Sequence, residues 1–464
     1  MGHLEHRVVF QHRSHPMPSF PRSLAGFRLS TLALAGCVAS GVLACSGPPG
    51  PEGDAGPQGT PGRDGVPLPV RLLDDKVGRW LPENRTRINT MISTLGIASP
   101  TFDPRNRPVA VFDWDNTVVK NDLGDATFFW MLKHDKVLQP ADKDWSTTSR
   151  HLTPEARSAL NGACDAAASP GEPLPTSTTP GCADELVSIY NRGQTRAGQA
   201  AWNNAITLTL NTSYAWAAQL QAGYTPEELR GFARSAYAEN AFNPPGTTQT
   251  VGTTPGLAYH VQVYEEMVDL IETLQANGFD VWVATASPQF VIDAVSEELT
   301  GIKPNRVIGI RTVTDARGRV TAHFQGCGTV ADGEDTLITY DQGKRCWINK
   351  LIFRQPTERQ LTRQEDARAR QVFAAGDSDT DLAFVQDATH LKLAINRNKV
   401  QLMCNAYANH QGSWLVQPMF VQPRAQQTAS YPCTTALDAA GQPITDEQGN
   451  RFTQDHGDSV YALP

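Results

Sequence analysis

The 464-residue chain has no block of Lys and Arg, and its 40 basic side chains against 48 acidic ones leave a formal charge of −8. That balance argues against a nucleic-acid partner held through its phosphates. Beyond position 45 there is no stretch of about 20 purely apolar residues, so the mature chain is not expected to span a bilayer. The eight cysteines include no C-x-x-C pair, which argues against a zinc site. Wholesale disorder is excluded too, because 40% of the residues are hydrophobic, enough for a real core. The length suggests two or three domains.

What is present begins with an address. Arg22 and Arg28 precede an apolar run, Leu29 to Cys45, of signal-peptide length, and Met17 would give a more ordinary basic region than Met1. The end of the run resembles a bacterial lipoprotein signal, with Cys37 and Cys45 competing as the lipidated residue. Cysteine arithmetic favours Cys45, because six cysteines then remain in the mature chain. Residues 1–44 are thus read as a signal peptide and the chain as exported, anchored to a membrane and facing periplasm or cell surface. An oxidising compartment permits disulfides, and proximity suggests Cys164–Cys182, Cys327–Cys346 and Cys404–Cys433.

Residues 45–68 form a linker in which glycine recurs at every third position from Gly47 to Gly65, with prolines between. Only glycine fits the axis of a collagen triple helix. Seven triplets are few, so an extended spacer is the first reading and trimerisation the second.

Four short stations follow, each a strand or helix end bearing chemistry. Pro108-Val-Ala-Val-Phe-Asp113-Trp-Asp115-Asn116-Thr117 is a buried strand delivering carboxylates to its C-terminal edge, where open α/β sheets place their chemistry. An amphipathic helix through Val263, Met267, Ile271 and Leu274 stops at Asn277-Gly278, and a strand then leads to Thr285-Ala286-Ser287-Pro288. Gln342-Gly343-Lys344 opens another helix. Finally Phe373-Ala-Ala-Gly376-Asp377-Ser378-Asp379-Thr380-Asp381 crowds carboxylates that repel one another unless a cation intervenes. Another amphipathic helix is expected around Val70–Leu95.

In order and in context these four motifs resemble the haloacid dehalogenase-like phosphohydrolases, over roughly residues 108–125 and 258–395. The resemblance implies an α/β, Rossmann-like core with a parallel sheet flanked by helices, plus an inserted, mainly helical cap. The core would comprise residues 69–120 and 258–464, the second stretch ending in a C-terminal extension, and the cap residues 121–257. It also implies a small phosphomonoester substrate and Mg²⁺ as cofactor. Asp113 would be the nucleophile, forming an aspartyl-phosphate, and Asp115 the acid and then the base. Asn116, Thr117, Thr285, Ala286 and Lys344 would bind the phosphoryl group. Asp113, Asp377 and the backbone carbonyl of Asp115 would hold the metal, with Ser378 and Asp381 behind them. Ser287 competes with Thr285 and Lys350 with Lys344, while Asp379 is read as a supporting or capping residue. Asp115 favours phosphatase or phosphotransferase action over dehalogenation.

The branch with phosphoserine and phosphorylcholine phosphatases is the most similar, and Trp114 with the cap aromatics suggests a cage for a quaternary ammonium. A catalytically silent surface scaffold is the reading from another class. The tail beyond Leu391 is expected to add a strand and a disulfide but no chemistry.

Overall fold

The computed structural model describes residues 69–203 and 206–464. The expected signal peptide, the Gly-X-Y linker and Cys45 lie outside the described residues. The first elements are helix α1 (Pro82–Leu95) and strands β1 (Val109–Phe112) and β2 (Val119–Lys120). Five helices follow: α2 (Leu123–Lys133), α3 (Pro154–Cys164), α4 (Pro180–Arg192), α5 (Thr212–Gln219) and α6 (Pro226–Asn240). A hairpin, β3 (Thr248–Val251) and β4 (Thr254–Ala258), precedes β5 (Gln262–Val263), which pairs antiparallel with β2.

The chain then alternates helix and strand through α7 (Glu265–Ala276), β6 (Asp280–Pro288), α8 (Gln289–Ile292), α9 (Ser296–Thr300) and β7 (Val307–Ile310). After the hairpin β8 (Thr312–Thr314) and β9 (Val320–Phe324) come α10 (Gln342–Leu351), β10 (Phe373–Gly376) and α11 (Leu382–Asp387). The last elements are β11 (Leu391–Asn396), α12 (Val400–Ala408) and β12 (Trp414–Pro418).

Six strands form one sheet in the order β12-β11-β10-β1-β6-β7, and every pairing in it is parallel. The order reverses around β1, which lies between β10 and β6, and ligands of open α/β sheets bind at such a switch point. Helices cover both faces, and the strands alternate accordingly. Ala110, Phe112, Val281, Val283, Phe373 and Ala375 enter the core shared with α1 and α7. Val111, Trp282, Ala284 and Ala374 enter the core shared with α10, α11 and α12. A two-residue period puts successive side chains on opposite faces, and both faces are apolar because both are covered. The fold is thus the α/β, Rossmann-like arrangement that the motifs imply.

Between β2 and β5 the chain is mainly helical and has an apolar cluster of its own, built on Phe128, Trp145, Leu186, Ile189, Trp216 and Val251. Disulfides join Cys164 to Cys182 in α3 and α4, Cys327 to Cys346 in α10, and Cys404 in α12 to Cys433 in the tail. These are the three pairs expected from proximity.

Three local expectations need correction. The helix anticipated from Val70 begins only at Pro82, whose ring disfavours helical geometry in the preceding residue and suits the first helical position. Val263 belongs to β5 rather than to the helix after it. Strand β6 runs on to Pro288, which is also the N-cap of α8, so Thr285 lies inside the strand and not at its end, and the register against β7 shifts between Ala284 and Pro288.

Candidate active site

The C-terminal ends of β1, β6 and β10 and the start of α10 converge on one cavity of about 210 Å³. Asp113, Asp115, Thr285, Lys344 and Asp377 all line it. Asn116, Ala286, Ser287 and Ser378 complete the sequence-predicted portion of the lining.

After β1 the chain turns tightly: Trp114 O accepts from the amides of Thr117, Val118 and Val119. Asn116 takes a left-handed conformation (φ +63°), which asparagine tolerates better than most residues, and its side-chain oxygen accepts from Asn121 N at 3.1 Å. This turn aims Asp113 and Asp115 into the cavity and sends Trp114 the other way. Trp114 is fully buried in the sheet core and does not line the cavity, which removes it from the ammonium cage expected there.

Lys344 lies at the centre of a charge network. Its ammonium donates to Asp113 Oδ1 at 2.7 Å and to Asp381 Oδ1 at 2.6 Å. Burial disfavours the charged amine, but Asp113 and Asp381 outweigh that and raise its pKa, so it is cationic at any working pH. A Cβ on Gly343 would stand 1.8 Å from Ile338 O, so only glycine permits the approach that seats this helix start. Lys350, the competitor, instead donates to Gly326 O at 2.7 Å.

Asp381 serves as a support. Its Oδ2 accepts from the amides of Asp377 and Ser378, both at 3.0 Å, and from Ser378 Oγ at 3.1 Å. Gly376 makes room for this, since a Cβ there would stand 2.5 Å from Asp381 Cβ. Thr117, expected on the phosphoryl group, is fully buried beneath the cavity instead. Its hydroxyl lies 3.0 Å from Asp113 Oδ2 and 3.2 Å from Asp377 Oδ1, so its proton serves the carboxylates. Asp115 faces β6: its Oδ2 accepts from Ser287 Oγ at 2.7 Å and Thr285 Oγ1 at 3.3 Å, and its Oδ1 from Leu123 N at 2.8 Å. Thr285 and Ser287 therefore share one partner. Asp379 caps α12 through Leu402 N at 2.9 Å.

The carboxylates outnumber the cations around them, and their proton affinities reflect it. Burial, then Asp381, raises the pKa of Asp113 well above the carboxylate range, with Lys344 only partly opposing. Burial and Asp122 do the same to Asp115, and burial raises Asp377 against the opposing charge of Arg397. Oxygens of Asp113, Asp377 and Asp381 lie within 4.8 Å of one another, a cluster of hard donors of the kind that suits Mg²⁺. The motif implies the backbone carbonyl of Asp115 as a further ligand, and the Asp115 side chain is absent from this cluster.

Two cationic residues of the site come from the tail, where the sequence suggests no chemistry. Arg397, directly after β11, donates to Asp377 Oδ2 and lines the cavity, as does Arg424. The position of Arg397 at the end of a parallel strand is the available signal. The inserted segment adds Asp122, Asp125, Tyr190 and Tyr214. The Tyr190 hydroxyl donates to Asp125 Oδ1 at 2.5 Å, and burial followed by Asp122 pushes Asp125 up to about 7.

Residues 213–386 match the family described as haloacid dehalogenase-like hydrolase, a span holding Thr285, Lys344, Asp377 and Asp381 but not Asp113. No curated protein matches the chain. A conserved, functionally unknown protein from Anaerococcus prevotii is structurally similar, with TM-score 0.54 and 19% identity over 74% of this chain and 93% of its own. A protein of unknown function from Bordetella pertussis matches at TM-score 0.37 and 16% identity, covering 68% of this chain and 100% of its own. A phosphoserine phosphohydrolase-like protein from Francisella tularensis matches at TM-score 0.29 and 12% identity, over 63% and 88%. Residues 213–386 are thus similar to haloacid dehalogenase-like hydrolases, and the all-parallel sheet, whose strand ends converge on one acidic cavity, is a Rossmann-like α/β fold.

Proposed function

We propose that this protein hydrolyses small phosphomonoesters through a phosphorylated Asp113. The observation that carries this reading is the placement of Asp113, held by Lys344 and Thr117, in one cavity with Asp115. An Asp113 carboxylate oxygen attacks phosphorus and the bond to the ester oxygen breaks. Asp113 has the Lys344 ammonium on its carboxylate and Asp115 has only hydroxyl and amide donors, so Asp115 is the one to carry the proton that it gives to the departing alkoxide. The ionised Asp115 then takes a proton from water, the water oxygen attacks phosphorus, and the Asp113 carboxylate is released. Lys344 faces negative charge throughout, which a dianionic ester needs if an anionic nucleophile is to approach.

Asp113 and Asp377, with Asp381 behind them, are the residues to hold Mg²⁺. When bound, the ion supplies positive charge at the phosphoryl oxygens. The inserted segment is read as a cap that excludes water, because Tyr190 and Tyr214 from its helices reach the cavity. A phosphocholine-like substrate loses Trp114 from its expected aromatic support, while the cap residues Tyr190 and Tyr214 stay on the wall. Asp122 and Asp125 remain on the wall, but Asp122 accepts from Asp125 N at 2.8 Å and Asp125 from Tyr190.

Export and lipidation at Cys45 belong to the same proposal, and the three disulfides support it, since such bonds persist in oxidising compartments. A small phosphomonoester outside the cytosol is then the partner, with an anchored monomer or a Gly-X-Y trimer as the form. The test of the reaction is magnesium-dependent release of phosphate from an aryl phosphate. Chelation should stop it, and an inert protein with an intact fold would favour the silent-scaffold reading.

A further inference from the structure

A second hollow, of about 430 Å³, opens beside the catalytic cavity and shares Asn121, Ala258 and Arg424 with it. Its walls come from the β3–β4 hairpin and from the tail turn Gln422–Ala425, and among the described residues no carboxylate lines it. Lys120, on β2, faces this hollow. It is only 6% exposed, and its ammonium has Met419 Sδ, at 3.9 Å, as its hydrogen-bond partner. A buried ammonium is ordinarily paired with a carboxylate, because desolvating an isolated charge is costly. Here its charged neighbours include Arg424 and Arg397, which repel it. Burial first, then those two arginines, push its pKa down to about 8 against the opposing pull of Asp377, so at neutral pH the side chain still carries charge, and among the described residues no carboxylate is hydrogen-bonded to it.

His260, also in the lining, adds a donor. Gly246 N reaches its Nδ1 at 3.3 Å, which requires that nitrogen to be an acceptor and leaves the proton on Nε2. The Asn121 amide nitrogen lies 3.4 Å from that Nε2, so the ammonium of Lys120 and the guanidinium of Arg424 are the cationic donors bordering a space that shares its lining with the phosphoryl site.

We infer that this hollow receives a second oxyanion, a carboxylate or a phosphate carried on the leaving group of the substrate, and that Lys120 and Arg424 select for it. The inference rests on the phosphomonoesterase reading and narrows it: the favoured esters carry negative charge at both ends. It runs opposite to the ammonium cage expected from the sequence.

The experiment compares kcat/KM of the mature protein for four substrates: an alkyl phosphate with an uncharged leaving group, a phosphoglycerate, an alkanediol bisphosphate and phosphocholine. The expected result is a preference of about tenfold or more for one or both esters with an anionic leaving group over the one with an uncharged leaving group, the magnitude of one charge-assisted contact. The stronger of the two identifies the oxyanion. Lys120→Gln should reduce that ratio about tenfold, mainly through KM. Arg424→Gln, at an exposed position, provides the same reading should the buried substitution impair folding. A ratio near one, a preference for phosphocholine, or a ratio unmoved by either variant would overturn the inference. If no ester is hydrolysed, the reaction reading fails, and the hollow is judged by calorimetric binding of malonate and pyrophosphate. Binding weakened by Lys120→Gln then sustains it, and absence of binding rejects it.

Discussion

Two buried lysines lie within one site and are treated in opposite ways. Lys344, on the cavity floor, has two carboxylates within hydrogen-bond distance, and its pKa is raised. Lys120, in the adjoining hollow, has no carboxylate hydrogen-bonded to it among the described residues, and burial with Arg424 and Arg397 lowers its pKa to about 8 against the weaker pull of Asp377. The first is a finished electrostatic unit, in which a fixed cation holds the nucleophile and its support in place. The second is an unfinished one, whose missing partner is supplied from outside the chain. Burial alone therefore does not say what a charged residue does; the identity of its neighbours does.

The floor can be broken most completely at the nucleophile. Asp113→Asn should abolish phosphate release, a loss of at least about 10³-fold, while circular dichroism and thermal midpoint show an intact fold. Lys344→Met should be nearly as damaging and should also destabilise the chain by about 3–5 kcal/mol in denaturant titration, because it strands two buried carboxylates. If Asp113→Asn is added to that variant, some of the lost stability should return.

Asp115→Asn should lower turnover by about 10²–10⁴-fold, the usual contribution of a positioned acid or base. The loss should be largest with poor leaving groups, as steady-state rates over a series of alcohol and phenol esters would show. Arg397→Gln should have a milder effect, about tenfold on turnover, by freeing Asp377 from its guanidinium partner. Unchanged rates would show that Arg397 only covers the site.

The smallest effect sharpens the contrast between the lysines. A lysine whose pKa is lower folded than unfolded binds fewer protons in the native state, so stability should rise as pH climbs from about 8 to the ordinary lysine value of 10.5. Lys120→Met should lack that rise in urea unfolding followed across this range. An identical slope in both proteins would mean that Lys120 is already neutralised.

Much of the floor is legible in the sequence because its chemistry is local to strand and helix ends. Asp113, Asp377 and Lys344 each sit within one or two residues of such an end, and a parallel sheet brings those ends together. The misreadings share a physical origin. Trp114 adjoins the nucleophile in sequence, but neighbours along extended chain point to opposite sides, so adjacency to Asp113 implies separation from the site. The motif assigns Thr117 to substrate because a one-dimensional pattern does not show that a hydroxyl has two carboxylates to satisfy first. Arg397, by contrast, follows directly on the strand end of β11 and is within reach of the same reasoning, whereas Arg424 and the hollow around Lys120 depend on how the tail returns beside β2, a contact between residues some 300 positions apart that no local pattern encodes.

The central claim is a covalent bond between Asp113 and phosphorus. Acid-quenched protein, mixed for milliseconds with an aryl phosphate and magnesium and then digested for peptide mass spectrometry, tests it most directly. The expected result is a hydroxylamine-labile phosphoryl group on the peptide containing Asp113 and on no other. Rapid phosphate release with that peptide unmodified at every quench time would contradict it.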